Sequence, residues 1–241
     1  MSDPRIWLVV PAAGVGQRMQ ADCPKQYLSL HGRFVLDITL ARMLSALEFA
    51  GCMVALNAND PWWPASEASK SPEIRHCVGG AERVDSVLAA LRALSGTAQP
   101  DDWVLVHDVA RPCVAPEDVQ RLVRTLWEHP TGGLLAAPVS DTLKRVAGNR
   151  VVDTVDRQQL WRALTPQMFR FGALQRALEQ ALTEAVAVTD EASAMEHLGR
   201  QPVVIAGRPD NIKITLPEDL LLAEFILGQL ERGVDRGQTG K

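Results

Sequence analysis

The chain is poor in cysteine, and the four it has, Cys23, Cys52, Cys77 and Cys113, lie far apart. They form no Cys-x-x-Cys pair and no Cys/His ligand spacing, which excludes a zinc site and a disulfide framework and fits a reducing cytoplasm. No apolar run approaches the ~18 residues of a membrane span, and the amino terminus carries no charged, apolar, cleavable signal. A soluble cytoplasmic protein is therefore expected. Basic residues do not gather: 25 Lys and Arg against 29 Asp and Glu leave a net charge of -4. Such a balance offers no field for gripping long nucleic acid, so any polyanion bound here is small and held locally. A Gly-Lys-Ser/Thr tripeptide is also missing, which excludes a P-loop. There is no internal repeat and no low-complexity tract.

What the chain does have is 241 residues, 46% of them hydrophobic, enough for one sizeable core. Short apolar runs alternate with amphipathic segments, the pattern of a doubly wound, mainly parallel α/β sheet covered by helices. Strands are expected at Ile6 to Val10, Cys52 to Leu56, Ile74 to Val78, Trp103 to His107 and Gly133 to Pro138. Leu36, Leu40, Met43, Leu44 and Leu47 share one helical face, as do Val84, Val87, Leu88, Leu91 and Leu94. Pro116, with Glu117 and Asp118 beside it, opens a helix that buries Val119, Leu122, Val123 and Leu126. Later helices are expected at Leu174 to Glu184, Glu191 to Leu198 and Pro217 to Arg232. Residues 1–232 read as one domain, and 233–241 as a loose tail.

The richest segment runs from Pro11 to Met19, straight after an apolar strand, and leads on to Pro24, Lys25 and Gln26. Ala12, Ala13, Gly14 and Gly16 carry little or no side chain, so backbone N–H groups there can approach an anion closely. Arg18 and Lys25 add two full positive charges. Gly14 and Gly16 alone also fit a plain turn. A dinucleotide fingerprint needs a third small residue where Met19 stands and an acid about 20 positions on, after the second strand. Here the second strand ends in Asn57, Ala58 and Asn59, with Asp60 the only nearby acid.

Three further clusters carry chemistry. Gly79 and Gly80 end a strand and open the Val84 helix, so backbone there can meet a flat base, with Ser86 offering a hydroxyl. A tight turn with a capped helix explains the same residues. Asp108 and Arg111 fall just past the Trp103 strand, on the carboxyl edge where open α/β sheets bind ligands. They read as a local ion pair, or as the acid that Mg²⁺ or a ribose hydroxyl requires; His107 reads as a structural hydrogen bonder. The third cluster is dispersed over Arg157, Thr165 to Gln167, Thr189 to Glu191 and Asn211 to Lys213. It makes an oxyanion site only if the fold gathers it. Thr142 to Ala147 and Arg150 to Asp156 flank the turn pair Gly148 and Asn149 and read as a hairpin. A lone ribbon is marginal in water, so it packs either on a second subunit or back on its own domain.

Taken in order, these motifs resemble the 2-C-methyl-D-erythritol 4-phosphate cytidylyltransferase family over about residues 6 to 226. The segments that carry the likeness are Ala12 to Met19, Cys23 to Tyr27, Gly79 to Ser86, His107 to Pro112, Asp141–Thr142, Trp161 to Gln167, Thr189 to Ser193 and Asn211 to Lys213. The resemblance implies a nucleotide-diphospho-sugar transferase-like fold and transfer of a cytidylyl group from CTP to a polyol phosphate, with Mg²⁺ required. It also implies a homodimer in which an arm, residues 139–158, reaches the partner's site. By motif position, Arg18 and Lys25 stabilise the transition state, and Arg157, from the other chain, and Lys213 position the substrate phosphate. Ala12, Ala13, Gly14, Gly16, Gly80 and Ser86 hold CTP; Asp108, Arg111, Thr142, Thr165 and Thr189 meet the alcohol or the ribose. Asp108 is the candidate metal ligand, the alternative being a metal held by the CTP phosphates. The family usually has alanine where this chain has Val109, which adds bulk beside the substrate. Ribitol 5-phosphate cytidylyltransferases share most of these motifs and stand as the alternative, followed by a NAD-binding oxidoreductase or a nucleotide-binding regulator without chemistry.

Overall fold

The computed structural model describes residues 4–14, 19 and 22–238, with side chains as far as residue 230. Along the chain run β1 (Ile6–Ala12), the two-residue strands β2 (Ser29–Leu30) and β3 (Arg33–Phe34), α1 (Val35–Ala46), β4 (Gly51–Leu56) and β5 (Ile74–Val78). Then come α2 (Arg83–Leu94), β6 (Trp103–Val106), α3 (Pro116–Leu126), β7 (Gly132–Pro138), β8 (Leu143–Ala147) and β9 (Arg150–Val155). Last are β10 (Trp161–Arg170), α4 (Phe171–Thr183), α5 (Glu191–His197), β11 (Val203–Ala206) and α6 (Pro217–Gln238).

Seven strands form the central sheet in the order β11-β7-β10-β6-β1-β4-β5, and only β10 runs antiparallel to its neighbours. The pleat of β1 sends alternate side chains to opposite faces, as its period of two requires. Leu8 and Val10 join α1, α3 and α6 on one side, while Trp7 and Val9 join α2, α4 and α5 on the other. Because both faces are covered, the central strands must be apolar throughout. The chain leaves β1 toward β4 on one side and reaches β6 on the other, so the strand order reverses between β1 and β6. Ligands of open α/β sheets bind at the carboxyl ends flanking such a reversal.

Local sequence explains where the helices nearest that edge begin. The Glu82 carboxylate accepts a bond from the third residue of α2, and Asp85 answers by accepting from the Glu82 N–H at 3.1 Å. Asp190 and Ser193 close the same reciprocal box at the start of α5, with Asp190 as the cap.

Three departures from the sequence-based expectation have physical causes. The ten-residue strand β10 carries Pro166, which cannot donate to a ladder and makes the run read as non-strand; its register slips between Ala163 and Gln167, where that proline sits. Strand β11 is only four residues long, too short to show a period. The last helix continues through Gly233 to Gln238, into the stretch expected to be loose. The helix runs through Gly228, Gly233 and Gly237, each of which costs about 1 kcal/mol without by itself ending so long an element. The hairpin β8–β9 forms its own two-stranded sheet, apart from the central one. Among the described residues, no helix is long and apolar enough to cross a membrane.

Candidate active site

A cleft opens at the carboxyl ends of β1 and β6. One wall is backbone: Ala12, Ala13 and Gly14 leave β1, and the Gly79–Glu82 turn leaves β5 beside them. A Cβ on Gly79 would stand 2.7 Å from the Ala13 Cβ and 2.8 Å from the Ser86 hydroxyl, so only glycine lets these two segments meet. A Cβ on Gly80 would stand 2.2 Å from that of Asp85. A Cβ on Gly14 would meet none of the described residues within 4 Å. Ser86 is 2% exposed, and its hydroxyl accepts from the Gly80 N–H at 3.2 Å while lying 3.2 Å from the Glu82 carbonyl. It shapes the turn rather than pointing a free donor at a ligand.

Lys25 enters from a short turn, residues 25–27, that is fastened to this wall. The Gln26 side chain donates to the carbonyls of Ala12 and Gly14 at 2.8 and 3.3 Å. The Tyr27 hydroxyl donates to Asp60 at 2.8 Å. Lys25 Nζ donates to the carbonyl of Ile214 at 2.9 Å, which brings it next to Lys213. Two cations, far apart in sequence, thus line one cleft.

The opposite wall is a knot of charge around Asp108. Arg83 Nε lies 2.8 Å from one of its oxygens; Lys213 Nζ at 2.9 Å and Arg111 Nε at 3.4 Å share the other. Burial alone would push the Asp108 carboxyl up, but the charges of Arg83, Lys213 and Arg111 outweigh it and hold the group well below the usual carboxylate range. Arg83 also forks onto Glu191, with N–O distances of 2.6 and 3.0 Å. Burial opposes the Arg83 charge, yet Glu191 and Asp108 together raise its pKa above that of free arginine.

Behind Asp108 lies a relay of ordinary hydrogen bonds. The Asp108 N–H donates to the Thr165 hydroxyl at 3.1 Å, which lies 2.9 Å from His107 Nδ1. His107 Nε2 faces the Arg111 carbonyl at 3.2 Å and so carries the proton, leaving Nδ1 to accept from Thr165. Burial pushes His107 down to about 4, against the pull of Asp108, so the ring is neutral. Its role is structural, as its place at the strand end suggests.

Of the residues singled out in the sequence, the cleft gathers Ala12, Ala13, Gly14, Lys25, Gly80, Ser86, Asp108 and Lys213. Gly16 and Arg18 lie outside the described residues. Arg111 stands behind Asp108 with its other end on the Asn211 carbonyl at 2.7 Å. Thr165 is buried and its hydroxyl is engaged by Asp108 and His107, so it braces the wall rather than facing the cleft. Thr142, Arg157 and Thr189 are exposed and do not line the cleft within one chain. Arg157 donates to the Ser140 carbonyl, and the Thr189 N–H donates to the Ser193 hydroxyl at 3.1 Å. The donor set does not suit a protein-held metal: both Asp108 oxygens are taken by cations, and the described residues contain no group of three His, Cys, Asp or Glu that could hold one. Asp108 is the centre of an ion-pair knot with Arg83, Lys213 and Arg111. Gln26, Arg83 and Glu191 went unassigned from the sequence. All three sit inside the motif segments, but a donor to a carbonyl and a link between residues 83 and 191 leave no local signal.

Comparison with known proteins meets this geometry from the other side. The profile of the IspD family, 2-C-methyl-D-erythritol 4-phosphate cytidylyltransferase, matches residues 6–229. A protein of that name from Ectopseudomonas mendocina is 55% identical over 218 residues, 90% of this chain and 93% of the relative. Another from Vibrio vulnificus is 52% identical over 222 residues, covering 92% and 94% of the two chains. Among solved structures, the Francisella tularensis enzyme of the same name superposes with a TM-score of 0.81 at 37% identity, over 92% of this chain and 99% of that one. With the Gly79–Ala13 contact, the Lys25–Lys213 neighbourhood and the Asp108 knot in place along nearly the full match, the chain belongs to the 2-C-methyl-D-erythritol 4-phosphate cytidylyltransferase family.

Proposed function

We infer that the cleft joins CTP to 2-C-methyl-D-erythritol 4-phosphate. A phosphate oxygen of the acceptor attacks the α-phosphorus of CTP, a new P–O bond forms, and the bond to the β-phosphate breaks. Pyrophosphate leaves with the electron pair, and 4-diphosphocytidyl-2-C-methyl-D-erythritol remains. The acceptor phosphate is already nucleophilic at neutral pH, so no activating base is needed. The obstacle is repulsion: two unit charges at ~4 Å interact by about 4 kcal/mol at an effective dielectric near 20.

The observation that carries this reading is the convergence of Lys25 and Lys213 on a cleft whose other wall is bare backbone. In it, Ala12, Ala13, Gly14, Gly80 and Ser86 receive CTP, with Gly16 and Arg18 completing the loop. Lys25, with Arg18, gains most as charge builds on the pentacoordinate phosphorus and the leaving pyrophosphate. Lys213 holds the acceptor phosphate, Asp108 and Arg111 set Lys213, and Thr165 braces Asp108. Thr142, Arg157 and Thr189 come to the site from the arm and from the loop before α5, Arg157 by way of a second subunit. Exposed Val146, Val151 and Val152 on the ribbon support an arm that is covered in a homodimer. Mg²⁺ fits best as a companion of the triphosphate, since Asp108 is already neutralised. Residues 1–232 act as one catalytic domain. Four free cysteines support a cytoplasmic setting.

Pyrophosphate release from CTP, Mg²⁺ and the acceptor tests the reading. Methylerythritol phosphate is expected to support turnover and ribitol 5-phosphate to fail; the reverse would move the chain to the sister activity. Lys25→Ala is expected to lower kcat by a factor equivalent to roughly 3 kcal/mol while CTP affinity changes little. Near-normal turnover would remove Lys25 from the mechanism.

A further inference from the structure

One side chain connects the base-side turn to the acceptor-side cation. Arg83 is the first residue of α2, directly after the Gly79–Glu82 turn. Its Nε meets Asp108 at 2.8 Å, and its two terminal nitrogens meet the two oxygens of Glu191 at 2.6 and 3.0 Å. Asp108 in turn holds Lys213 at 2.9 Å. The chain Glu191–Arg83–Asp108–Lys213 therefore ties the start of α5, the start of α2, the end of β6 and the loop before α6 into one rigid line. A planar guanidinium can present one N–H to one carboxylate and a fork to another at a fixed angle; an ammonium cannot. The side chains of Glu191 and Asp108 are 1% and 8% exposed, so neither can turn to water if Arg83 lets go.

We propose that Arg83 is a positioning residue for cytidylyl transfer. It fixes Asp108, and through Asp108 the Lys213 ammonium, at a set distance from the Gly80 turn, so that the acceptor phosphate and the CTP α-phosphorus are held in line. The proposal rests on the assignment of Lys213 to the acceptor phosphate. A merely structural Arg83, neutralising two buried carboxylates, would lower the melting temperature and leave the folded enzyme's turnover intact.

Steady-state kinetics on the full chain, at temperatures where each variant is folded by circular dichroism, separate the two. Arg83→Lys keeps the charge but reaches one carboxylate only; kcat is expected to fall roughly 100-fold, the effect of an ångström-scale misplacement. The KM for CTP is expected to stay within about threefold, as uniform binding is untouched. Glu191→Gln keeps shape and hydrogen-bonding capacity while loosening the fork, and is expected to lower kcat by about tenfold; it decides the matter if Arg83→Lys does not fold. In a double-mutant cycle, Arg83→Lys is expected to cost far less in a Lys213→Ala background than in wild type, because both act through one group. Full turnover in the folded variants, additive effects in the cycle, or a Lys213→Ala enzyme with unchanged acceptor KM and kcat overturns the proposal. Absence of any turnover by the wild-type chain would instead overturn the functional reading itself.

Discussion

The two walls of the cleft solve opposite problems. The wall from Ala12 to Gly14 and Gly79 to Gly80 is made by leaving atoms out, and its tightest point is a Cβ that is not there, 2.7 Å from Ala13. The wall around Asp108 is made by packing charge in, with three cations on one carboxylate and a second carboxylate behind. The first leaves open space, since no described residue comes within 4 Å of a Cβ placed on Gly14. The second can hold Lys213 still because the charges around it are already paired. Emptiness supplies access, and saturation supplies rigidity.

The sharpest way to break this contrast is to open the saturated wall. Asp108→Ala leaves Arg83, Arg111 and Lys213 without their shared counter-charge in a largely desolvated place, and removal of one partner from such a set typically costs roughly 3–5 kcal/mol. For a chain of this size that is a fall of about 10 °C in melting temperature. A calorimetric scan showing less than a third of that fall would mean that the knot is decoration rather than structure.

The same contrast explains what the sequence disclosed. The carved wall was legible because its residues are contiguous: Ala12 to Gly14 follow an apolar strand, and Gly79–Gly80 end another. The helices α2 and α3 were legible from their apolar faces, and α3 also from Pro116 at its first turn. The charged wall draws on residues 83, 108, 111, 191 and 213, brought together only by the reversal of strand order between β1 and β6. No local pattern marks Arg83 as the partner of Glu191, and the three cations around Asp108 are invisible in one dimension. Strand β10 was hidden for a different reason, since Pro166 contradicts the local rule while the ladders on either side of it carry the strand through.

Acid sharpens the contrast less drastically. His107 is buried behind Asp108 with its folded pKa depressed to about 4 by burial, against an ordinary value of 6.5. The charges facing it are Asp108, Arg111 and Arg83. A neutral ring is favoured in the folded state, so the unfolded chain takes up the proton first as pH falls. Its contribution is fully present above pH 6.5 and is lost as pH drops toward 4, amounting to ~2 kcal/mol between pH 7 and pH 5. Denaturant midpoints should fall accordingly over that range in the native chain and much less in His107→Asn, compared with its own value at pH 7. Equal slopes in the two proteins would clear His107 of the effect.

The finest test lies within the carved wall, where two glycines differ in why they are glycine. A methyl on Gly79 collides with Ala13 and Ser86, and overpacking of this kind typically costs about 1–3 kcal/mol. Gly79→Ala should therefore lose stability first and activity only with it. A methyl on Gly14 meets none of the described residues within 4 Å, so Gly14→Ala should leave the melting temperature within about 1 °C of wild type, a surface-sized change. It should nonetheless raise the KM for CTP several-fold, because the space it fills is the space the nucleotide needs. If both variants lose stability together and neither alters KM, the bareness of the wall reflects folding alone, and the nucleotide lies elsewhere along the sheet edge.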